Sequence, residues 1–232
     1  MTEAAIRSRS VRFAATASAG EVTALVERPA HAVAMLLLAH GAGAGMRHPF
    51  MEAIARELAR GGLASFRYQF PYMERGSRRP DHRSILLATV RSAVSAAAKE
   101  AGDLPLLAGG KSMGGRMTST AAAEAPLPKV RGLVFFGFPL HPAGRPSTDR
   151  ADHLGAVEVP MLFVQGTRDR LADPDLLTPI ITRLGDRARL HVIAGADHSF
   201  HVLKRSGRSD EEVLVEIAGA AADWALNLGD LC

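Results

Sequence analysis

Cysteine occurs once in the 232 residues, at Cys232, so no intrachain disulfide framework is available and a reducing, cytoplasmic setting is expected. Tryptophan also occurs once. With nine Phe and two Tyr the aromatics are too few for the base-stacking surfaces of a nucleic-acid binder, and no nucleic-acid partner is expected. Long apolar runs are missing as well: the longest, residues 32–39, is eight residues against the roughly 20 that a membrane-spanning helix needs. No tetrahedral cysteine/histidine set and no H-E-x-x-H pair is present, so no metal is expected.

Lysine is scarce too, with four against 24 arginines, so the formal net charge of +4 is carried almost wholly by guanidinium groups. Arg75, Arg78, Arg79, His82 and Arg83 form the one local basic cluster, in a Pro/Gly/Ser-containing stretch that reads either as a solvated loop or as a contact for an anion or acidic partner. Arg7, Arg9 and Arg12 with nearby serines imitate a transit peptide. No apolar core segment follows them, however, and Val11-Arg12-Phe13 alternates as a strand does, so they are read as part of the fold.

What the chain does have is enough apolar material, 47%, for one sizeable core, and residues 1–232 are read as a single domain. Residues 11–15 and 22–27 alternate around a turn near Gly20 and predict an N-terminal antiparallel hairpin. Strand-like runs at 32–39, 63–68, 104–108, 133–136, 161–165 and 190–193 then interleave with helical patterns at 49–60, 83–101, 115–125 and 211–228. This order predicts an α/β fold: a mostly parallel central sheet with helices on both faces. The stretch between Phe136 and Met161 holds four prolines and little periodicity, and reads as a surface connection or a small lid.

Gly110-Lys111-Ser112-Met113-Gly114 matches G-x-S-x-G, in which a sharp strand-to-helix turn exposes a serine hydroxyl at the carboxyl edge of the sheet. With 22 glycines and 14 serines about 0.12 matches are expected by chance, so context decides, and the context is an apolar strand before and a small-residue helix after. Gly110-Lys111-Ser112 could also end a phosphate-binding loop, but Pro105 stands where that motif requires glycine. Gly41 to Gly45 hints at dinucleotide binding, but Met46 stands where the third glycine belongs and no acidic residue ends the next strand.

A serine hydroxyl needs a base, and the base a carboxylate that fixes its tautomer. His198 lies in a loop just past a strand and before the last helix, and is the candidate base, with His201 as the alternative. Asp169 follows the strand at 161–165 and is the candidate orienting acid. Asp173 and Asp175 read as helix-start residues, and Asp197 as a loop former. The amide of Met113 and one from the loop His40-Gly41-Ala42-Gly43-Ala44-Gly45 are the candidate oxyanion donors. Ala42 is preferred, with Gly41 and Gly43 as alternatives, and His40 is read as a structural hydrogen-bonder. Access is expected across Phe70, Tyr72 and residues 138–145, whose apolar members read equally well as core.

HGAGAG, GKSMGG, QGTRD and GADHSF together resemble the α/β-hydrolase superfamily, near the dienelactone-hydrolase-like proteins. Residues 66–73 and Arg78-Arg79-Pro80-Asp81 are similar to the branch of bacterial predicted hydrolases related to the animal testis-expressed and non-specific-lethal-complex homologues. The resemblance implies an α/β-hydrolase fold with little or no cap, and a serine hydrolase without cofactor or metal acting on a small-molecule acyl substrate. The competing expectation is a non-catalytic module that binds a protein or anionic partner through the arginine cluster.

Overall fold

The computed structural model describes residues 6–228; Cys232 lies outside the described residues. The predicted hairpin is present and longer than its alternating core, with β1 (Ile6–Thr16) antiparallel to β2 (Gly20–Pro29). The chain continues through β3 (Ala34–Ala39), α1 (Pro49–Arg60), β4 (Leu63–Tyr68), α2 (Pro71–Glu74) and α3 (Arg83–Ala101). It goes on through β5 (Leu106–Lys111), α4 (Met113–Glu124), β6 (Val130–Phe136), β7 (Met161–Gly166), α5 (Pro174–Leu184), β8 (Ala188–Ile193) and α6 (Asp210–Asn227).

All eight strands form one sheet in the order β1-β2-β4-β3-β5-β6-β7-β8, antiparallel as far as β4 and parallel beyond. The parallel strands are buried on both faces, which is why they read as continuous apolar runs such as Met35-Leu36-Leu37-Leu38. One face is covered by α3, α4 and α5, through residues such as Val90, Val94, Met117, Leu177 and Ile180. The other is covered by α1 and α6, through Met51, Ile54, Leu58, Val213, Ile217 and Trp224. Among the described residues no helix is long and apolar enough to cross a membrane.

Local signals account for the helix ends. Pro49 opens α1, the His48 ring accepts the Phe50 amide at 3.2 Å, and Gly61 closes the helix. In α6 the Ser209 hydroxyl accepts the Glu212 amide while the Glu212 carboxylate accepts the Ser209 amide, and acids at 210–212 face the positive helix end. Trp224 of α6 packs on the sheet: a Cβ on Gly132, near the start of β6, would come within 2.6 Å of its Cη2.

Two sequence-based expectations shift. The strand expected at 104–108 begins at Leu106 and runs on to Lys111, and the helix expected from 115 begins at Met113, so the turn between them is Ser112 alone. Glycines mask strand character by propensity, yet here close packing demands them. The irregular stretch before Met161 holds a 3₁₀ helix, Asp149–Ala156, whose Ala151 and Leu154 enter the core. It is a connection packed on the helical layer.

β5 is pinned between β3 and β6, and a Cβ on Gly110 would fall 2.1 Å from the Ala39 carbonyl oxygen, on Gly114 2.4 Å from the same oxygen. Neither backbone neighbour can move without opening the sheet. Gly110→Ala is expected to lower the unfolding free energy by about 3 kcal/mol or more, the upper end of overpacking costs, as read by denaturant titration.

Candidate active site

Ser112 holds φ 51° and ψ −118°, a backbone conformation that costs on the order of 1–3 kcal/mol for a residue with a Cβ. The turn is tied at both ends, by Ser112 N–H to the Phe136 carbonyl at 3.2 Å and by Arg116 N–H to the Ser112 carbonyl at 3.1 Å. The side chain therefore projects at the carboxyl edge of the sheet.

Asp169, beyond β7, has a fully buried side chain. Its Oδ2 accepts from Gln165 Nε2 and from His198 Nδ1, the latter at 2.7 Å, and its Oδ1 accepts the Leu171 amide at 2.8 Å. A carboxylate only accepts, so the ring hydrogen sits on Nδ1 and leaves Nε2 free to accept from the Ser112 hydroxyl, 2.8 Å away. The structure thus brings Ser112, His198 and Asp169 into one hydrogen-bonded line. Gln165 extends it: its Oε1 accepts the Phe138 amide at 2.9 Å, which fixes the direction of its amide group.

The loop carrying His198 is stitched to the loop carrying Asp169. Arg168 N–H donates to the Ala196 carbonyl at 2.8 Å and Gly195 N–H to Thr167 Oγ1 at 2.9 Å. Asp197 is the expected loop former, its Oδ1 accepting the Ser199 and His201 amides at 2.8 and 3.0 Å. His201 is separate from Ser112: it is exposed and pairs with Asp210, whose hydrogen bond raises its pKa. Asp173 caps α5 by accepting the Asp175 amide.

The glycine-rich loop after β3 is braced from below. His40 Nδ1 bonds the Gly41 carbonyl at 2.8 Å and its Nε2 accepts the Phe70 amide at 3.1 Å, the structural role expected of it. Gly43 N–H donates to Tyr72 Oη at 3.2 Å and Ala44 N–H to the Gly41 carbonyl at 3.3 Å. Gly43 is thereby committed, leaving Gly41 and Ala42 facing the site. Met113 is the first residue of α4, and its amide belongs to the helix-start donors that have no partner within the helix.

These groups open into a cavity of about 390 Å³ lined by Gly41, Ala42, His48, Phe50, Met51, Lys111, Ser112, Leu171 and His198. Of the two readings of Phe70, Tyr72 and the apolar residues of 138–145, access route or core, Phe70, Tyr72, Phe138 and Leu140 take the second, since all four are buried. They serve as the floor on which the site rests, and α1 supplies the cavity wall. The basic cluster is partly neutralised, since Arg75 pairs with Asp81 and Arg83 with Glu124, while the Arg78 carbonyl packs 3.4 Å from where a Gly43 Cβ would be.

A second serine–histidine contact, Ser119 Oγ to His153 Nε2 at 2.8 Å, differs in kind. Ser119 is fully buried, and burial beside Arg116 and Arg83 lowers His153 to about 4, too weak a base for neutral pH. A larger cavity of about 510 Å³ at the far end of α4 is lined by no serine, histidine or cysteine. Among the described residues no three His, Cys, Asp or Glu side chains are grouped as a metal site would require.

Gln165, Lys111 and Phe50 were not singled out from the sequence, and Tyr72, expected on the access route, instead accepts the Gly43 amide from beneath the glycine loop. Gln165 had a visible signal, a polar residue ending an otherwise apolar strand; the others do not differ in sequence from ordinary core or motif-filler positions.

The family model described as an alpha/beta hydrolase domain matches residues 32–226. The chain belongs to the α/β-hydrolase family. Solved structures of similar fold include a dienelactone hydrolase from Anabaena variabilis, 21% identical over 96% of this chain and 98% of that one, TM-score 0.73. An esterase domain from Rhodothermus marinus is 17% identical over 94% and 98%, TM-score 0.71. An α/β serine hydrolase without lid from Xanthomonas campestris is 19% identical over 95% and 94%, TM-score 0.69. The eight-stranded sheet and both helical layers of this α/β-hydrolase follow the fold these proteins share.

Burial lowers His40 from 6.5 to about 4. Its folded-state pKa lies below its unfolded value, so its contribution is complete above about pH 6.5 and is lost as pH falls from there toward about 4. The loss expected from this ring is on the order of 3 kcal/mol. Unfolding free energies measured across that interval should fall, and His40→Leu should flatten part of the slope.

Proposed function

We propose that this chain is a single-domain serine hydrolase that cleaves a small ester or thioester through an acyl-enzyme. The observation that carries the reading is the continuous hydrogen-bonded line from Asp169 through His198 to a strained Ser112 at the floor of a cavity. Those three residue types, in the chain order Ser, Asp, His at one sheet edge, supply nucleophile, base and orienting acid.

The Ser112 hydroxyl attacks the substrate carbonyl carbon while His198 Nε2 takes its proton. The ring becomes cationic on that step, and the Asp169 carboxylate, held by Gln165 and the Leu171 amide, stabilises it without itself being protonated. Negative charge gathers on the carbonyl oxygen, where the amides of Met113 and Ala42 stabilise it. Collapse expels the alcohol or thiol, which takes the proton from His198. Water, deprotonated by the same nitrogen, then attacks the acyl carbon, and Ser112 leaves with the proton restored. No step calls for a cofactor or a metal.

The cavity wall of Phe50, Met51 and Leu171 suits a short apolar acyl or leaving group. A fluorophosphonate probe should label wild-type protein and fail on folded Ser112→Ala, and nitrophenyl esters of increasing acyl length should be hydrolysed with a dependence on Ser112. Asp169→Asn should reduce kcat by about 10⁴-fold, as loss of the correct tautomer does. Absence of Ser112-dependent labelling in folded protein would leave the chain as a binding module.

A further inference from the structure

Lys111 fills the variable position before the nucleophile, and its ammonium turns inward beneath the His198 loop. Its Nζ donates to the His198 backbone carbonyl. It lies 5.3 Å from the ring centre of Phe200 and 5.7 Å from that of Phe50, and those two rings stack on each other at 5.7 Å. A Cβ on Gly137 would meet Nζ at 3.0 Å and the His198 ring at 3.4 Å, so lysine and imidazole together occupy the space that this glycine leaves open.

Stability gives no reason for an ammonium here. Burying a cation costs several kcal/mol unless it is well paired, and a methionine would fill the same space beside the two rings without that cost. What the lysine adds is a charge-assisted hydrogen bond to the very residue whose ring must face Ser112.

We propose that Lys111 is a positioning residue for the hydrolytic step: seated against the Phe50–Phe200 stack, its ammonium holds the His198 carbonyl and so keeps Nε2 in line with the Ser112 hydroxyl. The proposal rests on the serine-hydrolase reading. Lys111 touches the carbonyl of the base and acts through it. A displacement of about 1 Å at a reacting group costs roughly 100-fold in rate, which sets the scale of the effect.

The charged groups that face Nζ are Asp169 after β7 and Asp197 after β8, both of which favour the ammonium, and His198 itself; His48 at the start of α1 shares the cavity. Burial outweighs the two carboxylates and brings Lys111 down from 10.5 to about 8. Above that pH the neutral amine gives up both the charge assistance and the attraction to the rings.

The second-order rate of fluorophosphonate labelling at Ser112 reports the alignment without knowledge of the substrate. In folded Lys111→Met, with a melting temperature close to wild type, the rate at neutral pH should fall about 10- to 100-fold, and Lys111→Arg should recover part of the loss. In wild type the rate should decline as pH rises through about 8, and Lys111→Met should lack that decline. A Lys111→Met rate within about twofold of wild type overturns the proposal, as does a loss that Lys111→Arg does not relieve at all. If Lys111→Met does not fold, folded Lys111→Leu takes its place, and a rate within about twofold of wild type overturns the proposal. Wild-type protein that is not labelled at Ser112 overturns the hydrolase reading first, and this proposal with it.

Discussion

The site depends on how closely three backbones approach one another. β5 passes between β3 and β6 with no side chain at 109 or 110, and α4 settles onto the Ala39 carbonyl because Gly114 also has none. That contact leaves a single residue for the turn from strand to helix. Ser112 takes up the resulting strain, and the strain is tolerated because hydrogen bonds to Phe136 and Arg116 fix the turn from both sides. A longer turn would relax the serine and also release its direction.

The partners of Ser112 reach it by a different logic. Asp169 and His198 stand on separate loops after β7 and β8, anchored to the strands by Gln165 and Lys111 and to the core by Ala196, Phe200 and Val202. Further order comes from polar bonds between the loops, Arg168 to Ala196 and Gly195 to Thr167, and from the Asp197 carboxylate within its own loop. Asp169 receives three donors in a buried position, so its lone pairs are satisfied before any substrate arrives. On the other side of Ser112, His40 and Tyr72 brace the glycine loop from beneath. Rigid sheet, cross-linked loops and braced loop converge on one edge.

Much of this was legible in the chain. Alternating apolar runs and helical faces placed nearly every element, because buried parallel strands and amphipathic helices carry strong periodic signals. That Ser112, Asp169 and His198 would come together was legible because nucleophilic chemistry restricts residue type and chain order together. Less legible was whatever depends on three-dimensional neighbours. Gly109 and Gly110 weaken the look of a strand while being required by it. Phe70 and Tyr72 read equally as rim and as core, and only the fold decides for core, since a sequence does not say which side of a loop an aromatic ring will face. Lys111 occupied a position the motif leaves free, and only its contact with the His198 carbonyl distinguishes it.

Trp224 has a practical bearing. It is the sole tryptophan of the chain, locked against Gly132 near the start of β6, at the end of the sheet opposite Ser112. Its emission therefore reads the packing of α6 on the sheet and is blind to what occupies the cavity. Unfolding of the body of the protein can be followed optically without interference from events at the site, and a variant that changes reactivity but not this signal has altered the edge of the sheet alone.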